Sequence, residues 1–462
     1  MSSENNSYDL SKISLQESNL DQFTYAMKTV EMNSLSENEA REFFSRETYF
    51  RNNCGAISDY QHNKLQWVMS DFFKGEKYKL VREVSYGQLY SRPPKKQEIQ
   101  KAKDETFQGY EDAVIYFEKT GCKDAKRDRV IVTITENWNS GGMHYEIQCN
   151  KEENSGMFAK WTKMADEKNF YKGQKIDVGC RILDLSKTTW DDVIISDDKK
   201  KIIKESVNDI FNNSETLKKF GITIQRGIIL YGDPGTGKTQ ICRALADEAE
   251  CSVLYALPTD FQKGTAGVRA VTNIAKDLAP CILIIEDMDW IAMDREAGRA
   301  GFVMELMNQM DGIEAFGDII TIGTTNKKDD LEDAVSNRPG RFDRLIEIGY
   351  PEKEEIKNMI ISFCKKWDIS GVNLSKVTNT LKDLSGAHVK EFCKTSAIYA
   401  VRDKSFSKDE KTLILKESHF KDAWEEVKNK NMSSYIETKS KSDKGESFGF
   451  AQKIADDDDA LL

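Results

Sequence analysis

The segment 232–239, with the sequence Gly-Asp-Pro-Gly-Thr-Gly-Lys-Thr, has the residue types and the spacing of a phosphate-binding loop. Its glycines allow the backbone to curl so that successive N–H groups point at phosphate, and the positive end of a following helix adds to the attraction. Lys238 would reach the β- and γ-phosphates of a nucleotide, and Thr239 would offer its hydroxyl to Mg²⁺. The other loop residues expected to contact the nucleotide are Asp233, Pro234, Gly235, Thr236 and Gly237.

A run of acidic residues forms the second candidate site. The apolar segment 281–285 ends in Glu286-Asp287-Met288-Asp289. Carboxylates that follow a strand of a parallel sheet lie at the edge of the sheet where ligands bind. We therefore expect Glu286 to support Mg²⁺ and Asp287 to polarise the attacking water.

The hydrophobic pattern from about residue 226 predicts the elements that would position these two motifs. Apolar runs typical of buried strands alternate with stretches of helical periodicity, and the expected strands are 227–231, 252–257, 281–285, 319–323 and 345–348. Strands separated by helices predict a parallel sheet with crossover helices. After Pro351 the pattern is helical to about residue 430.

The part of the chain before these motifs has a different pattern. Residues 1–20 are rich in Ser, Asn and charge, which predicts a disordered start. From there to about residue 120 the pattern is mostly helical, with helical spacing of apolar residues at 65–73 and again at 110–117. Alternating residues then predict strands at 130–135, 145–149 and 176–185. A small mixed α/β domain is therefore expected to end near residue 185.

Composition limits the classes of function. The net charge of −10 would repel nucleic acid and anionic membranes, and no apolar run approaches the roughly 18 residues of a membrane helix. The charged first thirty residues contain no apolar stretch typical of a secretory signal, so a cytoplasmic protein without membrane insertion is expected. Nine scattered cysteines without a Cys-x-x-Cys pair indicate reduced thiols, and no His-Glu-x-x-His motif is present.

Six further motifs identify a family that the chain resembles. They are Trp190-Asp191-Asp192-Val193, Ala279-Pro280-Cys281, Met310-Asp311-Gly312, Thr324-Thr325-Asn326, Arg338-Pro339-Gly340-Arg341-Phe342-Asp343 and Ser385-Gly386-Ala387. Together with the phosphate loop, they make residues 188–402 closely similar to the AAA ATPases, in the clade of FtsH, the proteasomal ATPases and the valosin-containing protein.

This resemblance implies an α/β fold, the AAA+ P-loop NTPase fold, with a parallel sheet and a helical lid after a mixed α/β N-terminal domain. The expected divisions are a disordered start, a partner-recognition domain with a helical part and then a β part, a large ATPase subdomain, a helical lid and an acidic disordered tail. Their residues are 1–20, 21–185, 186–350, 351–430 and 431–462.

The resemblance also implies roles for individual residues. Asn326 matches the sensor that orients the lytic water, and Arg338 and Arg341 match paired arginine fingers that reach the nucleotide of a neighbouring subunit. Hydrolysis of ATP would then depend on assembly of a ring. The residues implied to contact adenine are Asp192, Val193 and Ile194 before the loop, and Gly386 and Ala387 in the lid.

The chain departs from the family at three places. Glu286-Asp287 inverts the usual Asp-Glu, as in the mitochondrial complex III assembly ATPases, so the water could be held differently or hydrolysis could be slow. His388 replaces an Asp in the lid and is expected on the helix surface. Counting back from Pro280 places the family's pore-loop aromatic next to Phe261, which leaves two alternatives, gripping a substrate or packing beneath the loop.

The sequence therefore predicts a cytoplasmic, Mg²⁺-dependent ATPase that forms a homo-oligomeric ring, a hexamer by resemblance, and remodels a protein client selected by residues 21–185. One alternative is a nucleotide-gated scaffold with slow hydrolysis. The other is a nucleic-acid motor or loader, which needs a basic stripe. The clusters 199–201 and 439–444 are the candidates for such a stripe, and solvated faces explain both more simply. No nucleic-acid partner is expected.

Overall fold

A computed structural model of the 462-residue chain describes its structure over most of residues 50–427. The described residues are 43–44, 50–86, 93–121, 128–136, 142–185, 188–212, 216, 219–220, 225–291, 305–306, 308–309, 318–327, 342, 344–381, 384–407 and 411–427. The expected disordered start and acidic tail lie outside these residues. The chain divides into two compact units, Met1–Leu183 and Asp184–Leu462.

The N-terminal unit is built around an antiparallel sheet. Its elements are β1 (Phe50–Ile57), α1 (Asp59–Gly75), β2 (Tyr78–Val84), β3 (Lys95–Ala102), β4 (Glu105–Lys119), β5 (Arg129–Glu136), β6 (Met143–Cys149), α2 (Met157–Glu167) and β7 (Lys175–Asp177). The strands lie in the order β1-β6-β5-β4-β2, and β3 pairs with the first part of β4. A short 3-10 turn, Glu152–Asn154, precedes α2.

The prediction of a helix over residues 110–117 is wrong, because these residues lie in the long strand β4. Ile115 and Phe117 point into a core that includes residues of α1 and α2, whereas Val114 and Tyr116 pack on the opposite face of the sheet. A strand buried on both faces has a continuous apolar run, which periodicity cannot distinguish from a buried helix. In the described residues before 120, the expected helical part is thus mainly α1.

The helix expected from the spacing of residues 65–73 is confirmed as α1. Ser58 caps its start, where the side-chain oxygen accepts a hydrogen bond from the backbone N–H of Gln61 at 3.3 Å. The ring of Phe73 stacks on that of Phe117 with centroids 3.9 Å apart. Trp161 of α2 donates its indole N–H to the Leu65 carbonyl oxygen at 3.1 Å, so α1 and α2 are joined inside this core.

The C-terminal unit begins with α3 (Asp197–Asn212) and continues as alternating strands and helices. These are β8 (Gln225–Tyr231), α4 (Lys238–Glu248), β9 (Ser252–Ala256), α5 (Thr265–Leu278), β10 (Cys281–Ile285), α6 (Met288–Ile291), β11 (Ile319–Thr325) and β12 (Arg344–Glu347). The strands are parallel in the order β12-β8-β11-β10-β9, which confirms the expected parallel sheet with helices.

The register of this sheet brings three strand ends together. Ile285 of β10 pairs with Gly323 of β11, and Thr325 of β11 pairs with Tyr231 of β8. The segments that leave the carboxyl ends of these strands are therefore neighbours. They carry the phosphate loop, the acidic run and Asn326.

Helices follow the sheet, as the pattern after Pro351 predicts. They are α7 (Lys353–Phe363), α8 (Leu374–Thr380) and α9 (Gly386–Arg402), with a further helical segment at 417–427. Ile360, Phe392 and Phe420 are among the residues of their shared core. Among the described residues no helix is both long enough and apolar enough to span a membrane.

The imidazole of His62 makes the stability of the N-terminal unit depend on pH. His62 is 0% exposed, its Nδ1 lies 2.8 Å from the Tyr145 hydroxyl, and burial lowers its pKa to about 4. Below pH ~6.5 the unfolded chain gains a proton here that the folded chain does not, so stability falls as the pH falls towards 4. We expect the protonation of this residue to lower the free energy of unfolding by about 2 kcal/mol between pH 7 and pH 5.

The measurement is urea denaturation at pH 7 and pH 5. Proteolysis, with the fragments identified by mass, reports the unfolding of the N-terminal unit at each urea concentration. His62→Gln should lose about 2 kcal/mol less than the wild type between the two pH values. His144→Gln, at a half-buried position of β6, is the matched control. An equal loss in the wild type and in His62→Gln would contradict the assignment.

Candidate functional site

The phosphate loop joins β8 to α4, and its glycines adopt backbone angles that other residues rarely take. Gly232, Gly235 and Gly237 have φ values of 149°, 80° and 107°. A Cβ atom on Gly232 would overlap the carbonyl oxygen of Ile348. Asp233 and Pro234 are exposed, whereas Thr236 is buried and donates its hydroxyl to the Asp233 carbonyl oxygen at 2.9 Å.

Lys238 holds this loop against the end of β11. Its side chain is buried, and Nζ donates to the carbonyl oxygens of Gly232 at 2.6 Å and Asp233 at 3.0 Å and to Oδ1 of Asn326 at 2.8 Å. Burial lowers the pKa of Lys238, and the nearby carboxylates of Asp287 and Asp289 oppose that shift. The structure thus brings together the lysine and the amide that the sequence placed almost ninety residues apart.

Glu286 and Asp287 lie at the carboxyl end of β10, as expected. The backbone N–H of Glu286 donates to the Ala256 carbonyl oxygen at 3.1 Å, and its carboxylate contacts the Thr239 hydroxyl. Burial and then the negative charge of Asp287 raise the pKa of Glu286, while Arg243 acts in the opposite direction. Asp287 has a left-handed backbone, with φ of 49°, and its N–H donates to Thr324 Oγ1 at 2.9 Å.

The pair Thr239 and Glu286 fits a divalent cation. Oε1 of Glu286 is buried and has no hydrogen-bond partner among the described residues, so this oxygen is available as a ligand. Within the same described residues no group of three His, Cys, Asp or Glu side chains could hold a metal by itself. Mg²⁺ suits such a site, because it commonly takes one or two protein oxygens and completes its shell with phosphate oxygens and water.

The residues expected to contact adenine lie beside the phosphate loop and the lid. The carbonyl oxygen of Asp192 accepts a hydrogen bond from Nε2 of Gln240 in α4 at 2.7 Å. Val193 is buried, and Ile194 packs against the core of the helices that follow the sheet. Gly386 and Ala387 open α9.

The start of α9 touches the phosphate loop directly. The backbone N–H of Ala387 donates to the Gly235 carbonyl oxygen at 3.0 Å. A Cβ atom on Gly235 would lie 2.8 Å from both Ser385 Oγ and Ala387 Cβ, so the close approach requires glycine. His388 is half-buried on this turn, with Nδ1 2.9 Å from Ser385 Oγ, and is therefore less exposed than the surface position expected for it.

Two of the expected residues, Arg338 and Arg341, lie outside the described residues. A third, Phe261, is described and lies in a different setting from the residues above. Phe261 ends a 3-10 turn, Pro258–Phe261, and is 3% exposed. Its burial favours the alternative in which the side chain packs beneath the loop.

Sequence reasoning assigned no role to Asp289, which the structure places at the centre of this edge. The carboxylate is 4% exposed and accepts hydrogen bonds from Thr325 and Asn326. The only sequence signal was its place in the acidic run after β10. The identity of its partners depends on the order of the strands, which local sequence does not specify.

Comparison with known proteins agrees with this geometry. Residues 228–350 match the model of the ATPase family associated with various cellular activities (AAA). The proteasome-activating nucleotidase of Methanococcus maripaludis is 35% identical over 215 residues, which is 44% of this chain and 52% of that protein. The nucleotidase of Methanococcus vannielii is 34% identical over 241 residues, 48% of this chain and 58% of that protein.

A cell division cycle protein 48 homolog of Archaeoglobus fulgidus is 33% identical over 224 residues, which cover 46% of this chain and 30% of that protein. The chain thus spans about half the length of the nucleotidases that it matches. The family match covers the part of the chain that carries the phosphate loop, the acidic run and Asn326. The chain therefore carries an AAA ATPase domain over residues 228–350, and it is similar to proteasome-activating nucleotidases and to a cell division cycle protein 48 homolog.

Proposed function

We propose that this protein hydrolyses ATP with Mg²⁺ as cofactor. The observation that carries the proposal is the convergence of Lys238, Glu286, Asp287 and Asn326 at one edge of the parallel sheet. They come from three separate places along the chain, which the order of strands β8, β11 and β10 makes neighbours. A buried cation, two carboxylates and an oriented amide are the groups that phosphoryl transfer to water requires.

Each residue has a distinct task in this proposal. The backbone N–H groups of the loop and the Lys238 ammonium bind the phosphates, and Thr239 and Glu286 hold the metal ion. Mg²⁺, when bound, neutralises charge that develops on the phosphate oxygens. Asp287 accepts a hydrogen bond from the attacking water and polarises it, and Asn326 orients that water. Asp192, Val193, Ile194, Gly386 and Ala387 bind the adenine.

Assembly and client binding form the second part of the proposal. The chain assembles as a homo-oligomeric ring, a hexamer, in which Arg338 and Arg341 reach the nucleotide of the next subunit. The N-terminal unit recognises a protein client in the cytoplasm, and hydrolysis drives remodelling of that client. Similarity to relatives whose names describe activation of the proteasome supports a protein substrate. The independent core of the N-terminal unit supports a separate recognition module.

Lys238→Ala tests the phosphate loop. The variant should bind ATP about hundredfold more weakly or worse, because the cation proposed to face the phosphates is lost. Binding of a fluorescent ATP analogue is measured together with circular dichroism. Lys263→Ala, at an exposed lysine of the same unit, is the control and should bind normally. Near wild-type affinity in folded Lys238→Ala would refute the assignment.

The two carboxylates should have separable effects. Asp287→Asn should bind ATP normally but lose turnover by about hundredfold or more, because the group that polarises water is gone. Glu286→Gln should instead weaken ATP binding that depends on Mg²⁺. Phosphate release and ATP affinity with and without Mg²⁺ are measured for both variants. Normal turnover by Asp287→Asn would show that the water is polarised elsewhere.

Arginine fingers that act between subunits predict complementation. Arg341→Ala and Lys238→Ala preparations should each be inactive, whereas their mixture should recover part of the hydrolysis. In a mixed ring, an intact Lys238 site can face an intact Arg341. Phosphate release is followed after subunit exchange, which is verified with fluorescently labelled chains. No recovery in rings that have exchanged subunits would argue against shared sites.

A further inference from the structure

The buried carboxylate of Asp289 accepts hydrogen bonds from several atoms at the end of β11. Its Oδ1 accepts from Thr325 Oγ1 at 3.2 Å and from the backbone N–H of Asn326 at 3.1 Å. Its Oδ2 accepts a long bond, 3.5 Å, from Nδ2 of Asn326. These bonds link the start of α6 to the last residues of β11. With 4% of its surface exposed, Asp289 depends on these donors for its solvation.

The side-chain amide of Asn326 lies between a carboxylate and an ammonium group. Its Nδ2 faces Asp289, and its Oδ1 accepts from Lys238 Nζ at 2.8 Å. A carboxylate only accepts hydrogen bonds, and an ammonium group only donates them. One orientation of the amide therefore satisfies both neighbours, and the flipped orientation would place donor against donor and acceptor against acceptor.

We propose that Asp289 is a positioning residue that fixes the orientation of the Asn326 side chain. The carboxylate holds Nδ2, which directs Oδ1 towards Lys238 and the phosphate loop. Asp289 thus acts on the reaction through Asn326 and touches neither phosphate nor water itself. The kinetic part of this inference rests on the proposed function, because it takes Asn326 as the residue that orients the water.

The isosteric change Asp289→Asn separates positioning from anchoring. The new amide oxygen can still accept from Thr325 and from the Asn326 backbone, so the anchor to β11 remains. The new amide nitrogen, however, faces Nδ2 of Asn326, which puts two donors together. Turning Asn326 relieves that clash but removes the acceptor from Lys238. The variant should therefore fold and yet lose the bond between Asn326 and Lys238.

A double-mutant cycle tests the kinetic consequence in the full chain. Asp289→Asn should reduce turnover by about tenfold to hundredfold with little change in ATP affinity, because misplacement of an orienting group costs that much. In an Asn326→Ala background the same change should have no further effect. Asp422→Asn, at an exposed carboxylate of the helical segment 417–427, is the matched control and should match the wild type. An equal loss of turnover in both backgrounds would overturn the proposal.

Two measurements do not depend on hydrolysis. A crystal structure of Asp289→Asn should show Oδ1 of Asn326 turned away from Lys238, and an unchanged bond would overturn the proposal. Asn326→Asp would place a carboxylate against Asp289 while its other oxygen still meets Lys238. It should therefore lower the melting temperature more in the wild-type background than in Asp289→Asn, where a donor again faces an acceptor, and equal effects in both backgrounds would overturn the proposal. If the wild type proves unable to hydrolyse ATP, the proposed function fails, and these two results still decide the role of Asp289.

Discussion

The hydrogen bonds of one buried ammonium group constrain the whole of the candidate site. Lys238 has three N–H donors, and all three are directed at oxygens of the protein, two from the loop after β8 and one from the end of β11. A buried cation without such partners would be costly, so the loop and the strand end are held at fixed positions. A separate hydrogen bond positions the pair Glu286-Asp287 against the same strand, because the backbone N–H of Asp287 donates to Thr324 of β11.

The core of the N-terminal unit is built in a different way. Its sheet is covered on both faces, by α1 and α2 on one side and by a smaller cluster that includes Phe44 and Ile131 on the other. Its buried polar side chains include His62 and Tyr145, which are hydrogen-bonded to each other. No group of three metal-ligating side chains occurs among its described residues. Apolar packing on both faces and buried hydrogen bonds thus hold this unit together.

Local sequence predicted the phosphate loop and the parallel sheet because their signals are short and close together. Glycine spacing determines the loop, and buried apolar runs of five to seven residues determine the strands. The strand β4 was mistaken for a helix because both its faces are buried, which removes the alternation that identifies a strand. The role of Asp289 and the burial of Phe261 depend on contacts between segments distant in sequence, and neither local pattern nor spacing carries that information.

The hydrogen bond from Ala387 to Gly235 has a mechanical consequence. It joins the first turn of α9 to the middle of the phosphate loop, and Ile194 packs against the same group of helices. A hydrogen bond of 3.0 Å is lost when its atoms separate by roughly one ångström more. The helices after the sheet therefore cannot rotate as a rigid body without either breaking this bond or pulling the loop with them. A displacement of these helices would therefore move the loop that binds phosphate, and a displacement of the loop would move α9.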